Sequence, residues 1–172
     1  MNKLFCCGIC STEEDKILQI IESVKNYVDG FVWCVDSNPA SDLTAQLLEN
    51  YADEGKIIRH PWQNAHDWQA NEWLHSGVIK PGDWVLMVDS SEIPQPSWIK
   101  GLRKNIEELE AQGLSALYAS GRPYLFKFDE YLFFHGTPHW GLCGFTGKAA
   151  QLSDDDKKKI IINLRDLNPS KH

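Results

Sequence analysis

The sequence predicts an α/β fold in which helices cover both faces of a mostly parallel β-sheet. Short apolar segments alternate with segments whose apolar residues recur at helical spacing, through about residue 98. Strands that alternate with helices in this way form parallel sheets with right-handed crossovers. Polar residues, including Asp36 and Asp89, directly follow two of the apolar segments. Because ligands of open α/β sheets bind beyond the carboxyl ends of the strands, these residues mark an expected binding site.

Four strands joined by three helices are predicted in the first half of the chain. Residues 11–15 combine hydroxyl groups, which suit helix caps, with acids that complement the helix dipole. Apolar residues at helical spacing follow as far as Val28. A second helix is predicted from Ser41, and a shorter third helix from about Trp68 to Ser76. The predicted strands cover residues 4–9, 31–35, 56–59 and 83–88.

The second half of the chain is expected to complete the sheet. A helix is predicted over residues 97–112, and a hairpin is predicted to turn at Asp129–Glu130. Residues 136–144 are expected to form a loop or an irregular strand. Ser153 is expected to cap a helix that leads into residues 160–164. The predicted strands of this half cover residues 114–119, 124–128 and 131–135.

The composition suits one domain and argues against several kinds of partner. At 172 residues the chain is long enough for a full hydrophobic core. Its net charge of -7 argues against nonspecific binding to nucleic acid or to anionic membranes, because both need a basic surface. No apolar run approaches the roughly 20 residues of a membrane span, and the N-terminus does not have the pattern of a signal peptide. Five cysteines without a metal-ligand pattern favour reduced thiols and a cytoplasmic location.

The polar segments that follow the strands occur in a recognisable order. They are Cys10–Glu14, Val35–Asp42, Trp62, Asp67–Asn71 and Gly82–Glu92. In order and spacing, over about residues 4–98, they resemble the nucleotide-diphospho-sugar transferases of the GT-A fold, and among them family 2 of the inverting glycosyltransferases. The resemblance implies a Rossmann-like three-layer sandwich. It also implies one minimal domain over residues 1–172, with a nucleotide-binding half at 1–93 and an acceptor-side half at 94–172.

The resemblance implies a reaction as well as a fold. The expected enzyme is a metal-dependent hexosyltransferase that uses a UDP-sugar, such as UDP-glucose or a similar hexose donor, and Mn²⁺ or Mg²⁺. The acceptor would be a hydroxyl group of a glycan, a lipid or a protein, and transfer would invert the anomeric configuration. Neither nucleic acid nor a membrane span is expected to take part.

The resemblance also assigns roles to particular residues. Asp36, at a strand end, would accept a hydrogen bond from the uracil N–H, and Asp89 would contact ribose and metal. Because the leaving diphosphate is strongly negative and the protein is acidic, a divalent cation is expected as Lewis acid and template. The expected nucleotide-binding residues are Ser11, Thr12, Asp36, Asn38, Trp62, Asn71, Asp89 and Ser90. The expected metal ligands are Asp89, Ser91, Glu92 and His139.

Two positions depart from the family pattern. Ser91 stands where the family has a second metal-binding aspartate, and a hydroxyl is a poorer ligand for a hard cation than a carboxylate. Glu92 or His139 would then have to bind more of the metal. Ala70 stands where the family has an arginine that helps to hold the nucleotide. Three residues are candidates for the missing positive charge, namely Arg59, His66 and Lys148.

An inverting transfer needs a base that takes the proton from the acceptor hydroxyl. Asp129 and Glu130 are the candidate catalytic carboxylates, and His135 is a weaker candidate. Two solvated acids in a hairpin turn explain Asp129 and Glu130 equally well. An enzyme that retains configuration would need no such base.

Three other interpretations remain open at this point. A degenerate GT-A domain would bind a sugar nucleotide without transferring the sugar. A sugar-phosphate nucleotidyltransferase would share the fold, but it calls for a glycine-rich loop with a basic residue after the first strand, and residues 8–12 lack both features. A homo-oligomer or a partner protein could complete the acceptor side of so short a chain.

Overall fold

Helices and strands alternate through the first half of the chain, as the sequence predicts. The computed structural model describes residues 2–11, 14–37, 43–51, 54–136 and 141–164. The strands are β1 Leu4–Cys10, β2 Gly30–Asp36, β3 Lys56–His60, β4 Trp84–Met87, β5 Glu92–Pro94, β6 Leu114–Ala119, β7 Arg122–Lys127, β8 Phe133–His135, β9 Gly141–Cys143, β10 Lys148–Leu152 and β11 Ile161–Asn163. The helices are α1 Glu14–Val24, α2 Thr44–Glu49, α3 His66–Leu74, α4 Pro96–Ile99, α5 Leu102–Ala111 and α6 Asp154–Ile160.

The central sheet is mostly parallel, and this confirms the predicted fold class. Within the described ranges it has seven strands in the order β10-β6-β7-β4-β1-β2-β3. The strands β4, β1, β2 and β3 pair in parallel, whereas β7 runs antiparallel to both of its neighbours, β4 and β6. Two smaller ladders join β5 to β11 and β8 to β9, both antiparallel. The carboxyl ends of β1, β2 and β4 consequently share one edge of the sheet.

Side chains from successive residues of the central strands enter opposite hydrophobic layers. Cys6 and Trp33 pack in the layer that contains the buried residues of α1, α2 and α5. Cys7 packs in the other layer, together with Trp73 of α3 and Phe126 of β7. Because β1 and β2 are buried on both faces, they consist almost entirely of apolar residues. The result is the expected three-layer sandwich.

The cysteine side chains are free thiols, as expected. Four of them are buried in the strands at Cys6, Cys7, Cys10 and Cys34, and Cys143 is partly exposed. Burial raises the pKa of Cys6 to about 12, so this thiol stays protonated at neutral pH. No helix in the described part of the chain is long and apolar enough to cross a membrane.

The predicted helix over residues 97–112 is divided into α4 and α5. The break falls at Gly101, whose N–H donates to the Trp98 carbonyl at 3.0 Å instead of continuing the α-helical pattern. Glycine has a low helix propensity, since it loses the most backbone entropy in a helix. A single glycine within an otherwise continuous charged and apolar pattern therefore ends the first helix.

The predicted hairpin at Asp129–Glu130 is wrong. Strand β7 pairs with β4 and β6, and the strand that follows Glu130 pairs with β9 instead of β7. The actual tight turn joins β6 to β7 at Ser120–Gly121, where φ is 51° and 75° respectively. Positive φ at both central residues is what a two-residue hairpin of type I′ requires, and a Ser-Gly pair tolerates it. This turn fixes the position of Arg122, the first residue of β7.

The last predicted helix is shorter than expected. Ser153 caps α6 as predicted, since its side chain accepts a hydrogen bond from the Asp156 N–H. The chain then becomes extended and β11 pairs with β5, which places Asn163 opposite Glu92. The Leu164 N–H also donates to the Ser91 carbonyl at 2.8 Å. The end of the described chain thus supports the segment that follows β4.

We expect Gly8→Ala to destabilise the fold. A Cβ atom at residue 8 would lie 2.6 Å from the Val88 carbonyl oxygen and 2.7 Å from the Trp33 ring, so the strands around it would have to shift. Overpacking of this kind costs about 1–3 kcal/mol of unfolding free energy. Urea denaturation measures the change. The matched control is Gly141→Ala, because a Cβ there meets nothing within 4 Å; equal stability of the two variants would contradict the packing argument.

Candidate active site

A cavity of about 570 Å³ opens at the carboxyl ends of β1, β2 and β4. Its size is that of a small-molecule site. Main-chain and apolar groups of the strands form its floor, and polar side chains stand around its rim. The lining residues are Gly8, Ile9, Cys10, Ser11, Asp36, Trp62, His66, Met87, Val88, Asp89, Ser90 and Arg122.

Asp36 connects the ends of three neighbouring strands. It is the last residue of β2, and its Oδ2 accepts a hydrogen bond from the Ser11 hydroxyl, which follows β1, at 3.3 Å. Its Oδ1 accepts from the backbone N–H of Trp62, which follows β3, at 3.0 Å. Asp36 therefore holds the ends of β1, β2 and β3 together at the cavity.

Trp62 and His66 form the wall of the cavity beside Asp36. The two rings meet edge to face, with their centroids 4.7 Å apart. The Trp62 indole N–H donates to the Asn64 side-chain oxygen at 2.9 Å, and this bond fixes the ring. His66 begins α3, the helix packed beneath this wall. The wall therefore offers aromatic surface next to a carboxylate acceptor, as a planar base requires.

The segment after β4 folds into a tight turn around Asp89. Its Oδ1 accepts from the Ser91 N–H at 3.0 Å and from the Ser91 hydroxyl at 2.7 Å. The Glu92 N–H donates to the Asp89 carbonyl at 3.0 Å. A side chain that accepts from the backbone two residues ahead is typical of Asp at a turn. The turn directs Asp89 and Ser90 into the cavity.

Arg122 forms a bridge between the two carboxylates of this turn. Its Nη1 donates to Asp89 Oδ2 at 3.1 Å, and its Nη2 donates to Glu92 Oε2. Glu92 is buried, and the Lys157 Nζ lies 3.6 Å from its second oxygen. We did not predict Arg122 or Lys157 from the sequence. A Ser-Gly turn between two apolar strands was the signal that could have placed Arg122 at the sheet edge.

The environment of Asp89 lowers its pKa below the ordinary value of 3.8. Burial alone would raise the pKa, because it disfavours the charged form. The two hydrogen bonds from Ser91 and the positive charge of Arg122 outweigh that effect. Asp89 is therefore ionised at neutral pH.

The structure brings together most of the predicted nucleotide-binding residues. Those at the cavity are Ser11, Asp36, Trp62, Asp89 and Ser90, and the predicted metal ligands Ser91 and Glu92 belong to the adjoining turn. Thr12, Asn38 and His139 lie outside the described residues.

Asn71 is occupied elsewhere in the fold. Its side chain donates to the Phe134 carbonyl at 2.9 Å and accepts from the Phe134 N–H at 2.7 Å. It thereby joins α3 to β8, and it is not among the residues that line the cavity. The geometry supports a structural role for this asparagine. Among the candidates for the charge that Ala70 lacks, His66 lines the cavity, whereas Arg59 pairs with Glu49.

The candidate catalytic acids Asp129 and Glu130 are placed at the other end of the sheet. They follow the carboxyl end of β7, and β7 runs antiparallel to β4. The Gly82 N–H, just before β4, donates to the Phe128 carbonyl at 2.9 Å, so residues 128–130 lie beside the start of β4. Asp129 caps its own turn by accepting from the Tyr131 N–H at 3.0 Å. We therefore do not propose either acid as the base.

The carboxylates of the turn do not fit a divalent cation in this arrangement. Asp89 is bonded to Ser91 and Arg122, and Glu92 is held by Arg122 and faces Lys157. A metal ion between these carboxylates would lie against a guanidinium group, and the repulsion opposes binding. Over the described ranges, no group of three or more His, Cys, Asp and Glu side chains is arranged to hold a metal. The expected Mn²⁺ or Mg²⁺ stays a prediction.

A mostly parallel sheet with a cavity of small-molecule size at its carboxyl edge, and with a carboxylate beside aromatic surface, is the arrangement expected of a nucleotide-sugar transferase of the GT-A fold. The sequence model described as glycosyl transferase family 2 matches residues 9–124 of the 172. This chain belongs to that family. No curated protein sequence matches the chain.

One solved structure shares the fold at low sequence identity, and two others superpose less closely. TarS of S. aureus superposes with a TM-score of 0.53 at 18% identity, over 68% of this chain and 21% of TarS. The 1–349 fragment of TarS, solved in complex with UDP-GlcNAc, gives 0.49 at 19% identity, over 69% of this chain and 34% of the fragment. A 4-diphosphocytidyl-2C-methyl-D-erythritol synthase gives 0.46 at 13% identity, over 95% and 76% of the two chains. The chain spans about a fifth to a third of the TarS chains.

The depressed pKa of Asp89 predicts a pH dependence of stability. Since the folded-state pKa lies below the unfolded value, the unfolded chain binds more protons at this group in acid. The stabilisation is present above the unfolded value and is lost as the pH falls through the folded one. We expect the unfolding free energy of the wild type to fall more steeply than that of Asp89→Asn between about pH 5 and pH 2. Urea titrations at a series of pH values measure the unfolding free energies of the wild type and of Asp89→Asn.

The control for this titration is Asp155→Asn, at a side chain that is 88% exposed. It should follow the wild-type pH profile. Parallel profiles for the wild type and Asp89→Asn would show that Arg122 and Ser91 do not stabilise the Asp89 carboxylate.

Proposed function

We propose that this domain transfers a hexose from a UDP-sugar to an acceptor hydroxyl group with inversion at the anomeric carbon. Membership of glycosyl transferase family 2 supports sugar transfer. The cavity supports uridine, which the family resemblance also implies, as the nucleoside. The observation that carries it is the position of Asp36.

Asp36 offers a carboxylate at the wall of the cavity. Uracil presents one N–H donor between two carbonyl groups, so a carboxylate opposite that N–H makes a favourable hydrogen bond. Ser11 lies beside Asp36 and carries a hydroxyl that suits a uracil carbonyl or the ribose. The edge-to-face pair of Trp62 and His66 stands next to this acceptor and supplies the aromatic wall.

The other end of the cavity suits the charged part of the donor. Asp89 and Ser90 follow β4, next to the strand that leads to Ser11, and Arg122 faces them from β7. With uracil at Asp36, the ribose and diphosphate would extend along the sheet edge towards these residues. The anomeric carbon would then lie near the mouth of the cavity, where an acceptor can approach.

The proposed reaction is a single displacement. The acceptor oxygen forms a bond to the anomeric carbon on the face opposite the diphosphate, and the bond between that carbon and the diphosphate oxygen breaks. The acceptor proton passes to solvent water, and UDP leaves with the electron pair of the broken bond. A domain that binds a sugar nucleotide without transfer is the second candidate, because Asp129 and Glu130 lie at the far end of the sheet.

We expect UDP to bind, and we expect Asp36→Asn to reduce the preference for uracil over cytosine. CDP lacks the uracil N–H and has an acceptor at that position, so it should bind the wild type more weakly than UDP. An asparagine amide can donate to cytosine. The substitution should therefore weaken the affinity for UDP by about tenfold and narrow the difference between the affinities for UDP and CDP. Isothermal titration calorimetry measures the four affinities.

The control variant is Glu108→Gln, which removes a carboxylate that is 57% exposed on α5. It should keep the wild-type preference. An unchanged ratio of UDP to CDP affinity in Asp36→Asn would remove Asp36 from base recognition.

We also expect the domain to hydrolyse a UDP-sugar slowly when no acceptor is present, because water can take the place of the acceptor. Inversion predicts that UDP-α-glucose releases β-glucose first, and proton NMR distinguishes the two anomers. Asp36→Asn should slow the release of UDP in proportion to its weaker donor binding. Tight UDP binding without any release of UDP, with or without Mn²⁺, would instead favour the domain that binds without transfer.

A further inference from the structure

Arg122 lies where the diphosphate of the donor would meet the ends of the strands. We propose that its guanidinium group binds this diphosphate directly, and that Asp89 and Glu92 hold the guanidinium in place instead of holding a metal ion. The inference rests on the proposed function, because it concerns how the same cavity holds the same donor.

The charges around the turn are balanced before any ligand enters. The carboxylates of Asp89 and Glu92 contact Arg122, and Lys157 approaches Glu92 to within 3.6 Å. Two negative and two positive side chains therefore meet at this point. The affinity of oxygen ligands for a divalent cation depends on their excess of negative charge, and this cluster has none.

Arg122 has hydrogen-bond donors left for a ligand. A guanidinium group carries five N–H donors in a planar fork, a shape that matches pairs of phosphate oxygens. Within the described ranges, its hydrogen bonds to Asp89 and Glu92 use two of these donors. The side chain is 27% exposed and lines the cavity. The remaining N–H donors therefore sit on a guanidinium group that Asp89 and Glu92 already hold at the cavity wall.

The backbone also fixes where this charge stands. The Ser120–Gly121 turn brings the chain back into the sheet as β7, and Ala119 pairs with Arg122 across the turn. Because β7 runs antiparallel to β4, the first residue of β7 lies at the carboxyl end of β4. A long side chain there reaches the Asp89 turn without leaving the sheet edge.

This position suits the chemistry of the leaving group. When the bond to the anomeric carbon breaks, its electron pair stays on the diphosphate oxygen, and negative charge increases there. A fixed positive charge with aligned donors stabilises that charge without reorganisation. The guanidinium group remains protonated throughout, since its pKa lies far above neutral pH.

The test compares the binding of uridine, UMP and UDP by calorimetry in the presence of EDTA. We expect the wild type to bind UDP more tightly than uridine without any metal. Arg122→Gln should weaken the affinity for UDP by about tenfold to a hundredfold, because it removes charge-assisted hydrogen bonds. It should leave the affinity for uridine unchanged. The UDP affinity of Arg122→Lys should lie between those of the wild type and Arg122→Gln, because lysine keeps the charge but lacks the planar fork.

Two further variants separate binding from folding. Arg122→Gln leaves the buried Glu92 with one partner fewer, so the double variant Arg122→Gln/Glu92→Gln restores the charge balance and should recover thermal stability but not UDP affinity. Arg59→Gln removes a guanidinium that is 53% exposed on β3 and pairs with Glu49, and it should bind UDP like the wild type.

The outcomes distinguish this inference from the proposed function. UDP binding that requires Mn²⁺ in the wild type would overturn the role of Arg122, and so would equal UDP affinity in the wild type and in the folded double variant. The proposed function would stand in both cases, because the nucleotide still binds. A wild type that binds neither uridine nor UDP, with or without Mn²⁺, would overturn the proposed function itself.

Discussion

The parallel pairing of β4, β1 and β2 is the constraint on which the rest of the site depends. The register places Cys10 opposite Val35 and Cys7 opposite Met87, so the three strands end within a few residues of one another. Each strand is buried on both faces and cannot accommodate a polar side chain along its length. Polar groups therefore appear only where the strands end. Packing and function are coupled here, because a shift in register would separate Ser11, Asp36 and Asp89.

The second half of the chain completes the same site. Glu92 is buried, and a buried carboxylate is stable only when its charge is compensated. Arg122 from β7 and Lys157 from α6 supply that compensation, and β11 pairs with the strand that begins at Glu92. Three elements from beyond residue 94 thus converge on a turn that belongs to the first half. Residues from both sides of position 94 therefore hold this turn in place, and the expected division into a nucleotide-binding half and an acceptor-side half stays a prediction.

Local patterns were sufficient for the elements whose partners are adjacent in sequence. Alternating strands and helices predicted the parallel sheet, and the order of polar segments predicted that Ser11, Asp36 and Asp89 would meet. The pairing of β7 was not predictable in the same way, since an apolar strand can pair with either neighbour and two acids resemble a turn. The tight Ser120–Gly121 turn pairs β7 with β6, and β7 also pairs with β4 on the side that β1 does not occupy. Arg122 was missed because its partners, Asp89 and Glu92, are about thirty residues earlier in the chain.

Ser91 and Arg122 both hold the Asp89 carboxylate, one at each of its oxygens. A carboxylate at position 91 would have no proton to donate and would repel Asp89, whereas the Ser91 hydroxyl donates to Asp89 at 2.7 Å. The turn therefore holds two negative side chains instead of three, and a single guanidinium group can bridge both. A third carboxylate would attract a divalent cation and would compete with Arg122 for the same oxygens. If Arg122 binds the diphosphate as proposed, the serine at position 91 removes a ligand from a metal-bound diphosphate site and, through the same atoms, supports the guanidinium that takes the place of the metal.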